Sequence, residues 1–428
     1  MTWPIAVFVA LMLMGLPIGL VMVGAGLAGV VTIGGIDFLE ILADRFYAGI
    51  SGFVLIAVPY FILTAELMNR AGLTEKLVAF ANSLLGRIPG ALSHVNIVVS
   101  VFFAGITGAA VTDTVTIGKT LIPSMKAEGY GAAYSAAVTA CSSIIGPIIP
   151  PSIIMIVYAT TLRDVSVLAL FAAGLVPGLL MALALLVVSG WISWRRGYVR
   201  HRAVSFRLIW RAGLATLPAL AIPVIIIGGI LSGATTLTEA GALGAVYTLG
   251  LGALVYRTLG WRDLWQALVA TISFSGVVFL LLGASTVLGW YVTRSGIARE
   301  AADLITMVSS DPTIQILAVD GLLIVLGTFV DVLPAVVIAA PVLAPAMIEL
   351  GFDPLHFGLV MLLALNFGNI TPPVGMSLMT ASRIAGVPYE AAIRESLPFY
   401  LSHLAVIVAA SLSPSLILWF PRLIGAAG

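Results

Sequence analysis

One proline motif occurs twice in this chain, each time in the middle of an apolar stretch. Gly146–Pro151 reads GPIIPP, and Gly368–Pro373 reads GNITPP. A Pro-Pro pair removes two backbone hydrogen-bond donors and clashes with the preceding helical turn. The two motifs therefore predict two interrupted helices. Interrupted helices at bilayer depth are typical of the binding sites of secondary transporters.

The composition indicates an integral membrane protein. Of the 428 residues, 61% are hydrophobic and only 9% are charged, whereas soluble proteins carry about 25% charged residues. The single cysteine, Cys141, excludes disulfides within the chain and metal sites built from several cysteines. The four histidines are scattered without metal-ligand spacing, and the net charge of +1 gives no indication of a nucleic-acid partner.

Several apolar stretches reach the roughly 20 residues that a spanning helix needs. The first begins at the N-terminus, which we interpret as a retained span and not a signal peptide. It is interrupted at Gly15–Pro17, so it is either one kinked helix or a more complex segment. The candidate spans are 4–33, 51–69, 165–194, 213–232, 238–256, 264–290 and 398–421. Two amphipathic segments, 74–86 and 296–309, are predicted to be interfacial helices.

Each interfacial segment is followed by an apolar stretch with a turn-like centre. The stretch 91–126 is centred on Gly105–Asp113, and the stretch 313–348 is centred on Gly327–Asp331. Each holds two helices of about 16 residues, roughly 24 Å long, which is short for a hydrocarbon core of about 30 Å. We therefore expect two re-entrant helical hairpins, with non-helical tips that are buried in protein or face water. The interrupted helices follow at 131–161 and 354–385.

The two halves of the chain can be aligned. Residues 121–159 match 343–381 without a gap at an offset of 222, and the identities include the first Gly and the Pro-Pro pair of both motifs. Five predicted crossings separate the hairpins, and an odd number places them on opposite faces of the membrane. The expected fold is an all-α polytopic membrane protein with inverted repeats, a signature of secondary transporters. We divide it into a first half (1–194), a basic linker (195–212) and a second half (213–428).

Basic residues set the predicted orientation, because cytoplasmic loops are enriched in Lys and Arg. The linker carries Arg195, Arg196, Arg200, Arg202, Arg207 and Arg211, so we place it in the cytoplasm, with a patch for anionic lipid or nucleic acid as the alternative. Counting crossings from there puts further basic residues on the same side and two acids, Glu349 and Asp353, outside. The basic residues are Arg87, Lys126, Arg257, Arg262, Arg383 and Arg394.

A broken helix exposes carbonyls at one end and amides at the next, which suit a hard cation and a carboxylate respectively. Two tips facing two breaks would form two ion sites with a substrate between them. The hydroxyls of Thr107, Thr112, Thr328 and Thr371 could add oxygen ligands.

Three intramembrane acids leave alternatives open. Asp113 and Asp331 follow the tips, where each could coordinate an ion or cap the second hairpin helix. Asp320 is either a buried hydrogen-bonded group or a proton relay.

The residues around both motifs resemble a known transport family. The stretches GITGAAVTDTVTIGKTLIPSMKAEGY, IIGPIIPPSIIMIVYA and GTFVDVLPAVVIAAPVLAPAMIELGFDPLHFGLVMLLALNFGNITPPVGMSLMTASRIAGVP are similar to the large membrane subunit (DctM type) of TRAP, or tripartite ATP-independent periplasmic, transporters. The resemblance extends over essentially the whole chain and includes FILTAELMNRAG and LTEAGALG.

The resemblance implies an elevator-type fold in the bacterial inner membrane. It also implies coupling to Na⁺, a small four-helix (DctQ-type) membrane subunit, a periplasmic binding protein that delivers the substrate, and an organic acid as that substrate. By motif position, the ion and substrate residues are Thr107, Gly108, Asp113, Gly146, Pro147 and Pro150 in the first half, and Gly327, Thr328, Asp331, Gly368, Asn369, Thr371 and Pro372 in the second.

The alternatives to this function are a stand-alone symporter and a channel. A stand-alone carboxylate symporter of similar fold would work without a binding protein. A channel would need a charged ring or filter sequence, and none is evident. The chain has no P-loop motif, so it is not expected to hydrolyse ATP, and it has no catalytic constellation typical of an enzyme.

Overall fold

The computed structural model describes residues 2–35, 38–86, 88–162, 165–198 and 206–426, with the side chains of 2, 105–107 and 206–208 left out. The first half contains α1 (Thr2–Leu13), α2 (Ile18–Gly34), α3 (Leu39–Ile50), α4 (Ala57–Arg70), α5 (Leu73–Leu85), α6 (Ala91–Thr107), α7 (Ala110–Ala127), α8 (Ala132–Ser143), α9 (Ile153–Thr161) and α10 (Val167–Arg196). The second half contains α11 (Phe206–Leu231), α12 (Leu237–Gly250), α13 (Trp261–Ser295), α14 (Ile297–Val308), α15 (Pro312–Phe329), α16 (Val332–Glu349), α17 (Pro354–Gly368), α18 (Met376–Ala385), α19 (Tyr389–Leu412) and α20 (Pro414–Leu423).

The helices have the lengths and surfaces of membrane spans. Within the described residues, eight are long and apolar enough to cross a bilayer. Large apolar side chains also face outward, among them Val224, Trp261 and Leu401, which are 69%, 79% and 71% exposed. A soluble protein rarely exposes such side chains in large contiguous patches. The expected class, an all-helical polytopic membrane protein, is therefore confirmed.

The same order of elements occurs in both halves. A long helix, a short amphipathic helix, a helical hairpin and a broken helix follow one another as α4, α5, α6/α7 and α8/α9, and again as α13, α14, α15/α16 and α17/α18. Both amphipathic helices begin after a glycine in the left-handed region, Gly72 (φ 69°) and Gly296 (φ 78°). The hairpins and broken helices lie where the sequence predicts them. The inverted orientation of the two halves remains a prediction.

The structure corrects several predicted bounds. The first apolar stretch is two helices, α1 and α2, separated by Gly15 with φ 76° and by Pro17, which starts α2. Helix α3 was not predicted, because its acidic residues Glu40 and Asp44 interrupt the apolar pattern. The predicted last span, 398–421, is wrong at both ends. Helix α19 starts at Tyr389 and stops before Pro414, where the separate helix α20 begins.

The basic linker is shorter than predicted. Helix α10 continues to Arg196, and α11 already begins at Phe206, so both ends of 195–212 are helical. Arg87, Arg200 and Arg202 lie outside the described residues. Two of the other residues predicted to be cytoplasmic form contacts between helices. Lys126 Nζ donates to the carbonyl of Ala385 over 2.8 Å, and Arg196 forms an ion pair of 2.8 Å with Glu395.

The hairpins and broken helices pack into one group of helices. Helix α8 contacts α6, α7 and α18, while α17 contacts α15 and α16. Buried polar side chains join α6 to α8. Asn96 Nδ2 donates to Thr139 Oγ1 over 2.7 Å, and Ser100 Oγ donates to Ser142 Oγ over 2.9 Å.

A second group, α2, α3 and α4, packs along α13, which also contacts α9 and α16. Helix α13 therefore forms a wall beside the hairpin group.

Candidate functional site

The first hairpin reverses direction at Gly108, which lies between α6 and α7 with φ 59°. This left-handed conformation favours glycine. A side chain here would also crowd the next element, because an added Cβ would lie 3.0 Å from the amide nitrogen of Ile153. Ile153 is the first residue of α9. The tip of the first hairpin therefore touches the point where the broken helix resumes after the first proline motif.

The first break extends from the end of α8 at Ser143 to the start of α9, and its Pro150–Pro151 peptide bond is cis. Ser152 Oγ donates to the carbonyl of Pro147 over 2.6 Å and closes the loop. Asp113 is fully buried, and a Cβ on Gly146 would overlap its Oδ2 atom. The glycine of the first motif thus makes room for the acid that follows the first tip.

The second hairpin meets the second break through backbone contacts. A Cβ on Gly368, the last residue of α17, would overlap the backbone of Gly327 in α15, and a Cβ on Gly327 would overlap the carbonyl of Leu365. The amide of Gly375 donates to the carbonyl of Thr328 over 3.3 Å. The predicted tip residues Gly327 and Thr328 are therefore in direct contact with the second break.

The acid after the second tip is also held by the break. Asn369 Nδ2 donates to Asp331 Oδ1 over 3.2 Å. Asp331 stands at the N-cap position of α16, but no cap bond from its side chain is recorded there. Asp113 lies one turn inside α7, whose N-cap residue is Ala109. For both acids, ion coordination and capping stay alternative predictions.

The remaining predicted residues lie within the same loops. Pro372 forms a cis peptide bond with Pro373. Thr371 Oγ1 donates to the carbonyl of Phe367 over 2.7 Å, and Thr328 Oγ1 donates to that of Val325 over 2.7 Å. Because each hydroxyl donates its hydrogen to a nearby backbone carbonyl, only its lone pairs are available to other ligands. The side chain of Thr107 lies outside the described part of the structure.

Two tyrosines support the second break and were not found from the sequence. Tyr400 OH donates to the carbonyl of Ile370 over 2.5 Å, and Tyr389 OH donates to that of Val374 over 2.7 Å. Both tyrosines belong to α19. A buried tyrosine usually finds a partner for its hydroxyl, but the sequence does not indicate which carbonyl that partner is.

Both tips line one small cavity of about 70 Å³, which we call the tip cavity. Its wall includes the first residues of three helices: Ala110–Thr112 of α7, Ile153–Ile154 of α9 and Val332–Leu333 of α16. Gly108, Ala109, Pro147 and Asp331 complete it, together with Phe274 of α13. Helix N-termini carry partial positive charge and unpaired amides. Three of them at one cavity favour an anionic group there.

A larger cavity of about 380 Å³, the scaffold cavity, adjoins the tip cavity and shares Ala109, Thr112, Ile153 and Phe274 with it. Its far wall is formed by α4 and α13. Glu66 and Asn69 line it, and Glu66 also forms an ion pair of 3.5 Å with Arg70. The sequence alone does not indicate that these scaffold residues belong to the site. The larger cavity gives the tip cavity a path along α13.

Two other acids form hydrogen bonds away from the tip cavity. Asp320 is buried and accepts a hydrogen bond of 2.7 Å from Ser411 Oγ on α19, as expected for a buried hydrogen-bonded carboxylate. Glu239 forms a capping box with Thr236 at the start of α12. Among the described residues, no group of three or more His, Cys, Asp or Glu is placed to hold a metal ion.

Comparisons with known proteins agree on one family. Residues 5–416 match the family described as "Tripartite ATP-independent periplasmic transporter, DctM component". The chain is 38% identical to the sialic acid TRAP transporter large permease protein SiaM of Vibrio cholerae, over 97% of both chains. It is 32% identical to the 2,3-diketo-L-gulonate TRAP transporter large permease protein YiaN of Escherichia coli, over 94% of this chain and 95% of that one.

A solved structure shares the fold. The YdaH transporter of Alcanivorax borkumensis superposes with a TM-score of 0.58 over 90% of each chain, at 14% sequence identity. At that identity, the likeness concerns the arrangement of helices alone.

Proposed function

Because the chain belongs to the DctM family of tripartite ATP-independent periplasmic transporters, we propose that it moves an organic acid into the cell together with Na⁺. It is the large permease of such a transporter, a multi-pass protein of the inner membrane and not an enzyme. The two relatives above are named for acids, sialic acid and 2,3-diketo-L-gulonate. An organic acid is therefore the substrate class for this chain.

The tip cavity carries the proposal. Its three helix N-termini offer positive partial charge to a carboxylate. It is small, so it accommodates the charged end of an acid, and the adjoining scaffold cavity accommodates the rest. Both tips and the first break line it, and half-helix ends of this kind bind anionic substrates in transporters.

Sodium is the proposed co-transported cation. Asp331 lies at the tip cavity, and the partners of its carboxylate within the described residues are neutral, namely the side-chain amide of Asn369 and the backbone amide of Val332. A carboxylate at this depth is costly unless a cation balances it. The hydroxyl lone pairs of Thr328 and Thr371, with the carbonyls of the second break, are hard oxygen ligands suited to Na⁺. The first site would use Asp113 with the carbonyls around Gly146.

The proposed movement is that of an elevator, in which the hairpin group slides along a fixed wall. Helix α13 forms that wall, and the helices of the hairpin group pack mainly on one another. The tip cavity lies against the N-terminal half of α13, at Phe274. Carrying the acid across the membrane would bring the tips opposite the other half of the same helix.

The proposed partners follow from the tripartite family. They are a small membrane subunit that extends the scaffold and a soluble periplasmic protein that delivers the acid. A stand-alone symporter would need neither.

Reconstituted uptake tests the proposal. The chain is placed in liposomes with its small subunit, and uptake of radiolabelled acids is measured with and without a binding protein and an inward Na⁺ gradient. We expect accumulation only when both are present. Accumulation without the binding protein would indicate a stand-alone symporter. Equilibration that ignores the Na⁺ gradient would refute sodium coupling.

A further inference from the structure

A third cavity lies further toward the C-terminus of α13 than the tip cavity, and we call it the Arg45 cavity. It has a volume of about 530 Å³ and is bounded by α3, the end of α9, the C-terminal half of α13 and α16. Phe274 of the tip cavity and Ser285, the nearest α13 residue of this one, are 11 residues apart, which is roughly 16 Å along the helix axis. The two cavities are therefore separate sites.

Arg45 is the one charged residue that lines this cavity within the described part of the chain. Its position is fixed by close packing of α3 on α13. A Cβ on Gly49, one turn after Arg45, would overlap Thr286 Oγ1, and a Cβ on Gly283 would overlap the ring of Phe46. No ion pair of Arg45 is recorded among the described residues. A guanidinium held at a cavity wall without a carboxylate partner attracts an anion, and it suits a carboxylate by its planar fork.

The hydroxyls of the cavity indicate what else the ligand carries. Four threonines line it, and each donates its proton to a carbonyl of its own helix, over 2.8 to 3.0 Å. They are Thr160, Thr161, Thr286 and Thr293. A hydroxyl whose hydrogen is already donated can only accept further hydrogen bonds. These oxygens therefore suit a ligand that donates hydrogen bonds, such as one bearing several hydroxyl groups.

We propose that the Arg45 cavity is a second binding site, which takes the carboxylate of a hydroxylated organic acid before that acid reaches the tip cavity. Arg45 binds the carboxylate, and the threonine oxygens accept from the hydroxyls of the ligand. The arginine distribution predicts that the N-terminal end of α13, near Arg257 and Arg262, is cytoplasmic. The Arg45 cavity then faces the periplasm, from which the acid arrives. The choice of ligand rests on the proposed function.

Cysteine labelling tests the site without any transport. Ala48 lines the cavity one turn after Arg45, and the only native cysteine, Cys141, is fully buried. In Ala48→Cys, we expect the anionic reagent MTSES to react faster, relative to the cationic MTSET, than it does when Arg45→Gln is added. The expected change in the rate ratio is about tenfold. Arg45→Lys should keep most of the preference.

The matched control is Arg294→Gln. Arg294 is an exposed arginine near the same end of α13, and it does not line the cavity. It should leave the rate ratio unchanged. Thr160→Cys serves as a second reporter if Ala48→Cys does not fold. A rate ratio that is insensitive to Arg45→Gln, or that changes equally with Arg294→Gln, would overturn the assignment of Arg45.

Protection from labelling tests the ligand class. Millimolar gluconate should slow the labelling, and its neutral counterpart sorbitol should do so much less. Equal protection by the two would overturn carboxylate recognition. Because none of these measurements uses a Na⁺ gradient, failure of sodium-driven uptake in the wild-type protein would count against the proposed function alone.

Discussion

The side-chain amide of Asn369 donates a hydrogen bond of 3.2 Å to Asp331 Oδ1, and so joins the second proline motif to the tip of the second hairpin. The two residues are 38 positions apart in the chain. In the first half, the corresponding contact is made by Asp113 against Gly146. Each acid therefore faces a break, where an ion between them would have both a carboxylate and open carbonyls.

Replacing Asn369 tests this contact. Asn369→Ala removes the neutral donor to a buried carboxylate, and hydrogen bonds to charged groups contribute about 1.5–3 kcal/mol. We expect the half-saturating Na⁺ concentration of uptake to change by about tenfold or more. Thr380→Ala is the control, because Thr380 bonds only within α18. An unchanged Na⁺ dependence in Asn369→Ala would contradict a sodium site at Asp331.

Gly368 and Gly321 make a matched pair for the backbone contact between α15 and α17. A Cβ on Gly368 would overlap the backbone of Gly327, whereas a Cβ on Gly321 would meet nothing within 4 Å. Gly368→Ala should lower the free energy of unfolding by about 1–3 kcal/mol or more, since backbone cannot yield as a side chain can. Gly321→Ala should be neutral or stabilising by about 0.5–1 kcal/mol. Thermal unfolding in detergent compares the two, and equal stabilities would show that the contact is looser than the structure has it.

The sequence predicted the elements of the site because its strongest signals act locally. Two prolines and a preceding glycine interrupt a helix wherever they occur in an apolar stretch, so both breaks could be located. The hairpin tips followed from arms too short to span the bilayer. That the tips face the breaks was expected from the unpaired carbonyls and amides that broken helices expose, but which atoms meet depends on tertiary packing.

Other features depend on tertiary packing, and the sequence does not indicate them. The hydroxyls of Tyr389 and Tyr400 reach the second break from a helix that follows it in the chain. Helix α3 has a mixed pattern of polar and apolar residues that is also typical of a loop. Its helical structure becomes understandable only from its packing on α13. Phe274 and Glu66 lie in ordinary helices, and only the fold brings them to the scaffold cavity.

Thr112 offers a test of the three helix N-termini. It lies in the first turn of α7 and is exposed to both the tip and scaffold cavities. Thr112→Asp places a tethered carboxylate where the carboxylate of the acid is proposed to bind, near amides that stabilise negative charge. We expect uptake to fall by at least about tenfold, with the thermal stability unchanged or raised by about 0.3–1 kcal/mol.

The isosteric Thr112→Asn is its control. It fills the same space without the charge, so it should retain most of the uptake. Equal loss in both variants would mean that size matters at this position and charge does not.

Replacing Asp320 distinguishes the two alternatives for its role, a hydrogen-bonded structural group and a proton relay. Its carboxylate is buried and accepts from Ser411 Oγ over 2.7 Å. If it is a hydrogen-bonded structural group, Asp320→Asn should keep sodium-driven uptake within about twofold and leave stability unchanged or higher, because an amide oxygen can accept the same bond without a buried charge. Ser411→Ala should instead destabilise the protein by about 1–3 kcal/mol, since it removes a partner of the buried carboxylate. Ser402→Ala, whose hydroxyl bonds only to Phe399 within α19, is the control. If Asp320→Asn abolished uptake while the protein stayed folded, Asp320 would be a proton relay and the transporter would couple to protons as well as to Na⁺.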